Sequence, residues 1–145
     1  YEYADVMRLH VNNDWLGDGV NKCVKVIAQL IQNLPDDYDY RIIFMQRDMS
    51  EVLASQNTML NRLNSTQQAE DDTLKKAYNV QLNQLDRWLA KKNNIEVLYV
   101  DYKKVIKDPQ TTAEALNKFN NNTMNVSAMC TAVDSTLYRE KSKSN

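Results

Sequence analysis

The chain has 145 residues, of which 43% are hydrophobic and 26% charged, and this is the size of one domain with one buried core. Its formal net charge of −1 provides no overall positive field, which excludes nucleic acid or an anionic membrane as a partner held by general charge attraction. Its two glycines, Gly17 and Gly19, cannot form a glycine-rich phosphate loop or a dinucleotide-binding turn.

The first forty residues predict short elements around one strand. Residues 1–9 are compatible with a short helix, and 12–19 with a loop. The β-branched run at 23–27 predicts a buried strand. Residues 28–34 then predict a crossover helix, because Pro35 cannot continue it.

The middle of the chain predicts two strands separated by two helices. The apolar runs at 41–45 and 95–100 both indicate buried strands. Asp48, followed three residues later by Glu51, is a capping-box pattern that predicts a helix to about residue 64. After a loop at 65–73, apolar residues recur at spacings of three and four as far as Leu89, which indicates a longer helix.

The last third predicts one clear helix and a polar tail. Asp108 before Pro109 places a capping residue ahead of a proline at the first helical position, and this helix runs to about Phe119. Residues 140–145 are expected to fray. Strands that alternate with helices and are apolar on both faces predict an α/β fold with a parallel sheet, formed by one domain over 1–145.

The junction at 42–48 is the strongest candidate for a binding site, because a buried strand ends there in Arg47 and turns directly into a capped helix. Ligands of open α/β sheets bind beyond the carboxyl ends of the strands, where a helix N-terminus attracts anions. Arg47 would add a bidentate fork for a phosphate, and Ser55 and Arg62 fall on one stripe of the helix that extends this polar surface. The alternative is that Arg47 pairs with a carboxylate and Asp48 only caps the helix.

The stretch 40–63 resembles the 3′-phosphate-binding strand and helix of the P-loop sulfotransferases, in particular their bacterial branch. The shared pattern is Arg-Asp-x-x-x-Val-x-Ala-Ser, which here begins at Arg47 and ends at Ser55. The segments 24–27, 96–102 with 108–109, and 137–139 also resemble this family, so the resemblance extends over about 1–139. It implies a three-layer P-loop-type fold, and it implies that Arg47 and Ser55 hold the 3′-phosphate of 3′-phosphoadenosine 5′-phosphosulfate.

The chain also departs from that family. The family's first strand and its phosphosulfate loop, the P-loop with its lysine, would lie before residue 1, so we expect a fragment or a truncated member in which the first strand and P-loop are missing. Sulfuryl transfer needs a base and a cation for the developing charge. His10, the only histidine, and Glu2 are the candidates for the base, and the cation has no candidate. Whether this chain alone is an enzyme therefore stays open.

The remaining expectations concern partners and location. Cys23 and Cys130 belong to no Cys-x-x-Cys motif, so we expect two buried thiols in a reducing, cytoplasmic compartment. We expect no metal cofactor and no membrane span. The acceptor would be a small molecule or a carbohydrate. The rival hypothesis is a noncatalytic α/β module that self-associates, as a homodimer, through its incomplete sheet.

Overall fold

The computed structural model describes residues 4–62 and 71–138, and these form two compact units. The first unit joins the described residues up to Tyr40 with Ala77–Ile95, and the second joins Arg41–Lys76 with the described residues from Glu96 onward. The expectation of a single domain over 1–145 stays a prediction.

The first unit is built from short 3₁₀ helices and most of one long α-helix. The 3₁₀ helices span Ala4–Arg8, Asp14–Gly19 and Ala28–Asn33, the last ending just before Pro35 as predicted. The strand predicted at 23–27 is wrong: this segment joins no strand ladder, although Ile27 has an extended backbone. The core of the unit consists of buried aliphatic side chains, namely Val6, Leu9, Ile31, Leu34, Leu85 and Leu89.

Polar side-chain contacts hold the segment 35–40 of the first unit, which leads into the sheet. The Tyr40 hydroxyl donates to the Pro35 carbonyl at 2.9 Å, and the Asn94 side chain donates to the Tyr38 carbonyl at 2.8 Å. The Lys92 ammonium lies 2.5 Å from a carboxylate oxygen of Asp36. Burial raises the pKa of the Tyr40 phenol to about 12, and the nearby Tyr38 adds to this shift.

The sheet pairs two parallel strands, β1 at Tyr40–Gln46 and β2 at Ile95–Asp101. Its register is marked by two cross-strand pairs. The Arg41 guanidinium donates to the Glu96 carboxylate at 3.3 Å, and the Phe44 and Tyr99 rings lie 5.5 Å apart between centroids. A parallel pair flanked by helices is the P-loop-type α/β arrangement that the sequence predicts.

The strands are less buried than their apolar sequences suggest. Along β1, half-buried residues alternate with exposed ones, so one face carries Ile43 and Met45 with the Met45 side chain 48% exposed. On β2, Val100 is buried whereas Tyr99 is exposed. The expectation of strands buried on both faces is therefore wrong for the described residues, because a continuous apolar run does not show how many layers cover it.

Helices follow both strands, and the second helix begins in the second unit and continues into the first. Helix α1 spans Met49–Arg62, close to its predicted bounds, and α2 spans Asp71–Leu89, so it starts inside the predicted loop. Helix α3, at Tyr102–Lys107, and α5, at Val126–Thr131, were not predicted. Helix α4 covers Pro109–Phe119 as predicted.

The ends of α4 show why its bounds could be predicted. The Asp108 side chain accepts from the Thr111 backbone N–H at 3.1 Å, which caps the start of the helix, and Pro109 needs no N–H donor there. Beyond Asn120, residues Asn121 and Asn122 adopt φ values of 57° and 58°. Asparagine tolerates this left-handed conformation better than other residues with a Cβ, and it ends the helix.

Two further expectations can be compared with the described residues. Neither cysteine forms a disulfide, and the expectation of two buried thiols is wrong for both, because Cys23 is exposed and Cys130 is half-buried. Over residues 4–62 and 71–138, no helix combines the length and the hydrophobicity that a membrane crossing requires.

Candidate functional site

The candidate site lies in the second unit, where β1 ends and α1 begins. Arg47 follows directly after the strand, and Asp48 precedes the first helical residue, Met49. One Asp48 carboxylate oxygen accepts from both the backbone N–H, at 2.9 Å, and the hydroxyl of Ser50. These bonds, the hydroxyl's first, lower the pKa of Asp48. The predicted capping role of Asp48 is therefore observed.

Arg47 forms an ion pair with Glu51, one helical turn into α1. The Arg47 Nε donates to Glu51 Oε2 at 3.1 Å. The Glu51 side chain is only 1% exposed, whereas that of Arg47 is 24% exposed. A buried carboxylate must be paired and hydrogen-bonded, because losing its hydration costs several kcal/mol. The alternative in which Arg47 pairs with a carboxylate is thus realised, and Glu51 supplies the carboxylate.

Two side chains from distant parts of the sequence hold the other oxygen of Glu51. The Lys103 Nζ lies 3.2 Å from Glu51 Oε1, and the Tyr138 hydroxyl donates to the same atom at 2.7 Å. Lys103 also lies 4.0 Å from Asp48 Oδ2. We name Arg47, Asp48, Glu51, Tyr102, Lys103 and Tyr138 the strand-end cluster.

Aromatic rings flank the Arg47 guanidinium within the strand-end cluster. Its carbon lies 4.9 Å from the centroid of the Tyr102 ring and 5.6 Å from that of Tyr138. The two rings meet edge to face, with centroids 5.5 Å apart and planes at 76°. Cations are attracted to ring faces, so these contacts fix the plane of the guanidinium in addition to the bond from Nε.

Hydrogen bonding to Glu51 also changes the acidity of Tyr138. The bond to the carboxylate is the main reason why the pKa of the Tyr138 phenol is raised to about 12. Ionising the phenol would remove the donor and place a second negative charge beside Glu51. The folded arrangement therefore holds Tyr138 in its protonated form well into alkaline solution.

Sequence reasoning missed Lys103 and found Tyr138 only as part of a family-like segment. A signal for Lys103 existed: it follows β2 as Arg47 follows β1, and the carboxyl ends of parallel strands meet at one edge of the sheet. Lys103 sits in the first turn of α3, where the Asp101 side chain accepts from its N–H at 2.8 Å. Helix α3, which the sequence did not predict, thus carries Lys103, the second cation of the strand-end cluster.

The other predicted site residues lie outside the strand-end cluster. Ser55 is exposed on α1, one turn beyond Glu51 and on the same stripe of the helix. Arg62 ends α1, and its side chain is outside the described part, as is Glu2. His10 is exposed in a turn of the first unit. The roles assigned to these four residues stay predictions.

The cluster offers donors for an anion and no set of metal ligands. Guanidinium, ammonium and helical N–H groups all suit phosphate oxygens. Among residues 4–62 and 71–138, no three histidine, cysteine or acidic side chains are grouped so that they could hold a metal ion. The candidate site is therefore built for charge pairing through nitrogen donors.

Comparison with known proteins adds one finding about the chain as a whole. A family model described as "Sulfotransferase family" matches residues 2–124. The matched range contains β1, β2 and Lys103, whereas Tyr138 lies beyond it. No curated protein and no solved structure gave a significant match.

Glu51→Ala should strongly destabilise the fold, because it removes the common partner of Arg47, Lys103 and Tyr138. We expect a loss of about 3 kcal/mol in the free energy of unfolding, measured by urea denaturation at neutral pH. The matched control is Glu96→Ala, which removes the exposed ion pair with Arg41 in the same unit. Its expected loss is below about 1 kcal/mol. Equal losses in the two variants would contradict the central role of Glu51.

Tyr138→Phe should remove one phenol with a pKa of about 12. Because the folded-state pKa is raised from 10.0 to about 12, the stabilisation from this group is fully present below pH 10 and is lost as the pH rises towards 12. Stopped-flow pH jumps, read by tyrosinate absorbance before unfolding, should show one phenol less in the phase near pH 12. Tyr40→Phe should remove a second phenol from that phase. An unchanged late phase in Tyr138→Phe would exclude the bond to Glu51.

Proposed function

Because the chain belongs to the sulfotransferase family, we propose that it binds 3′-phosphoadenosine 5′-phosphosulfate through the donor's 3′-phosphate and serves sulfuryl transfer to an acceptor. Membership of the family supports sulfuryl transfer in general. The observation that carries the finer proposal is the position of Arg47, at the carboxyl end of β1 and immediately before α1. This is the edge at which α/β sheets receive their ligands.

The residues at this edge fit a phosphate group. Arg47 offers a planar fork of donors whose orientation is fixed by Glu51 and by the Tyr102 ring. The positive end of the α1 dipole lies beside it, although the backbone N–H groups of Ser50 and Glu51 already bond to Asp48. Ser55 adds an exposed hydroxyl farther along the same helix. When bound, the donor supplies an activated sulfuryl group.

In this proposal the strand-end cluster holds the donor. His10 or Glu2 would serve as the base that takes the acceptor's proton. In this proposal the acceptor is a small molecule or a carbohydrate, and the protein works in the cytoplasm.

Arg47→Ala should abolish binding of the donor's 3′-phosphate. We expect adenosine 3′,5′-bisphosphate to raise the melting temperature of the wild-type protein and not that of Arg47→Ala, because binding to the native state stabilises it. The control is Arg41→Ala, which removes an arginine from β1 whose partner is the exposed Glu96. This variant should keep the wild-type shift. Equal shifts in wild type and Arg47→Ala would refute the site.

A second candidate function, a noncatalytic module that self-associates, is favoured by the exposed apolar face of the sheet. Ile43 and Met45 alternate along β1 and are both exposed, and the sheet of the described residues has two strands. Such a sheet presents strand edges that pair readily with another strand. A second copy of the chain would present the same face beside its strand edge, and the two copies would form a two-fold symmetric contact through these faces.

Met45→Lys should convert a dimer to a monomer if the chain self-associates through this face. Sedimentation velocity at micromolar concentration should then show a dimer for the wild type and a monomer for Met45→Lys. The variant should be monomeric because the introduced charge opposes burial of this face. Val80→Lys, at an exposed apolar position on α2, is the control and should leave the dimer intact. A strictly monomeric wild type would exclude this function.

A further inference from the structure

Lys103 occupies a distinctive position in the strand-end cluster, because it approaches both carboxylates that lie next to Arg47. Its Nζ is 3.2 Å from Glu51 Oε1 and 4.0 Å from Asp48 Oδ2. The Lys103 side chain is 35% exposed, so its end is reachable from solvent. It comes from the segment after β2, whereas Arg47, Asp48 and Glu51 all come from the segment after β1.

The charges of the cluster show what Lys103 contributes. Arg47 and Lys103 each carry a positive charge, and Asp48 and Glu51 each carry a negative one, so the four side chains balance. Without the ammonium group, Arg47 would be the one cation among these four side chains, and the four positions would carry a net negative charge. Because such a charge repels an approaching phosphate, Arg47 could then not attract one effectively.

We infer that Lys103 is the second cation of the 3′-phosphate site, a positioning residue that neutralises Asp48 and Glu51 so that Arg47 can bind a phosphate dianion. This inference rests on the proposed function of Arg47. A phosphate monoester carries a second negative charge, which gains most from a second cation at the site. Glu51 orients Arg47 through Nε, and Lys103 prevents the same carboxylate from cancelling its charge.

A contact of Lys103 with Glu51 that served only stability would behave differently. Its loss would lower the melting temperature and weaken every ligand of the folded protein to a similar degree. If Lys103 compensates charge, its loss should instead reduce the preference of the protein for a nucleotide with a 3′-phosphate over a nucleotide without one. The conservative variant Lys103→Arg retains the charge and should retain this preference.

The test is isothermal titration calorimetry of adenosine 3′,5′-bisphosphate, with adenosine 5′-monophosphate as the ligand that lacks the 3′-phosphate. Lys103→Gln should weaken the bisphosphate roughly tenfold, about 1.4 kcal/mol, and should leave the monophosphate unchanged. Lys103→Arg should restore the affinity. The matched control is Lys104→Gln, which removes the same charge from the next residue of α3, an exposed one, and should bind as the wild type does.

The outcomes distinguish failure of the inference on Lys103 from failure of the proposed function. If the wild type binds the bisphosphate, Arg47→Ala does not and Lys103→Gln binds normally, the inference on Lys103 is overturned while the proposed function stands. If Lys104→Gln weakens binding as much as Lys103→Gln, the effect is one of general charge and the inference is overturned as well. If the wild type does not distinguish the two nucleotides, both proposals fail together.

Discussion

The buried carboxylate of Glu51 is the constraint around which the second unit is organised. A carboxylate that is 1% exposed is stable in a protein only when its oxygens are fully engaged, and here one oxygen takes Arg47 while the other takes Lys103 and Tyr138. These partners come from the ends of β1 and β2 and from the C-terminal part of the chain. A single electrostatic requirement thus brings together three segments that are far apart in the sequence, and it fixes the direction of the Arg47 side chain at the same time.

The local elements of the fold were predictable where a short-range rule decides them. Asp108 with Pro109 determines the start of α4, and the apolar repeat determines α2, because caps and helical periodicity depend on neighbours within a few positions. The segment at 23–27 shows the limit of such reasoning. Its β-branched residues favour an extended backbone, but a strand also needs a partner, and partners are chosen by long-range contacts that composition does not reveal.

The candidate site was likewise predictable only where the local sequence decides it. The strand-end arginine and the capping aspartate follow from local sequence, whereas the burial of Glu51 depends on Lys103 and Tyr138, which lie far from it in the sequence. Glu51 reads locally as one half of a capping box, and nothing at that scale distinguishes a solvated carboxylate from a buried one. Placing Arg47 and Lys103 side by side required knowing that β1 and β2 are neighbours and parallel.

The sequence separation of 87 between Glu51 and Tyr138 has a consequence for biosynthesis. The ribosome makes Glu51 well before Lys103, and Tyr138 only near the end of this chain, so a nascent protein passes through a long period in which the carboxylate has not met its final donors. During that period Glu51 must remain hydrated, and α1 cannot settle in its final burial. The contacts that complete the burial of Glu51 therefore form late. Contacts of this sequence separation also form slowly, because closing a long loop costs chain entropy.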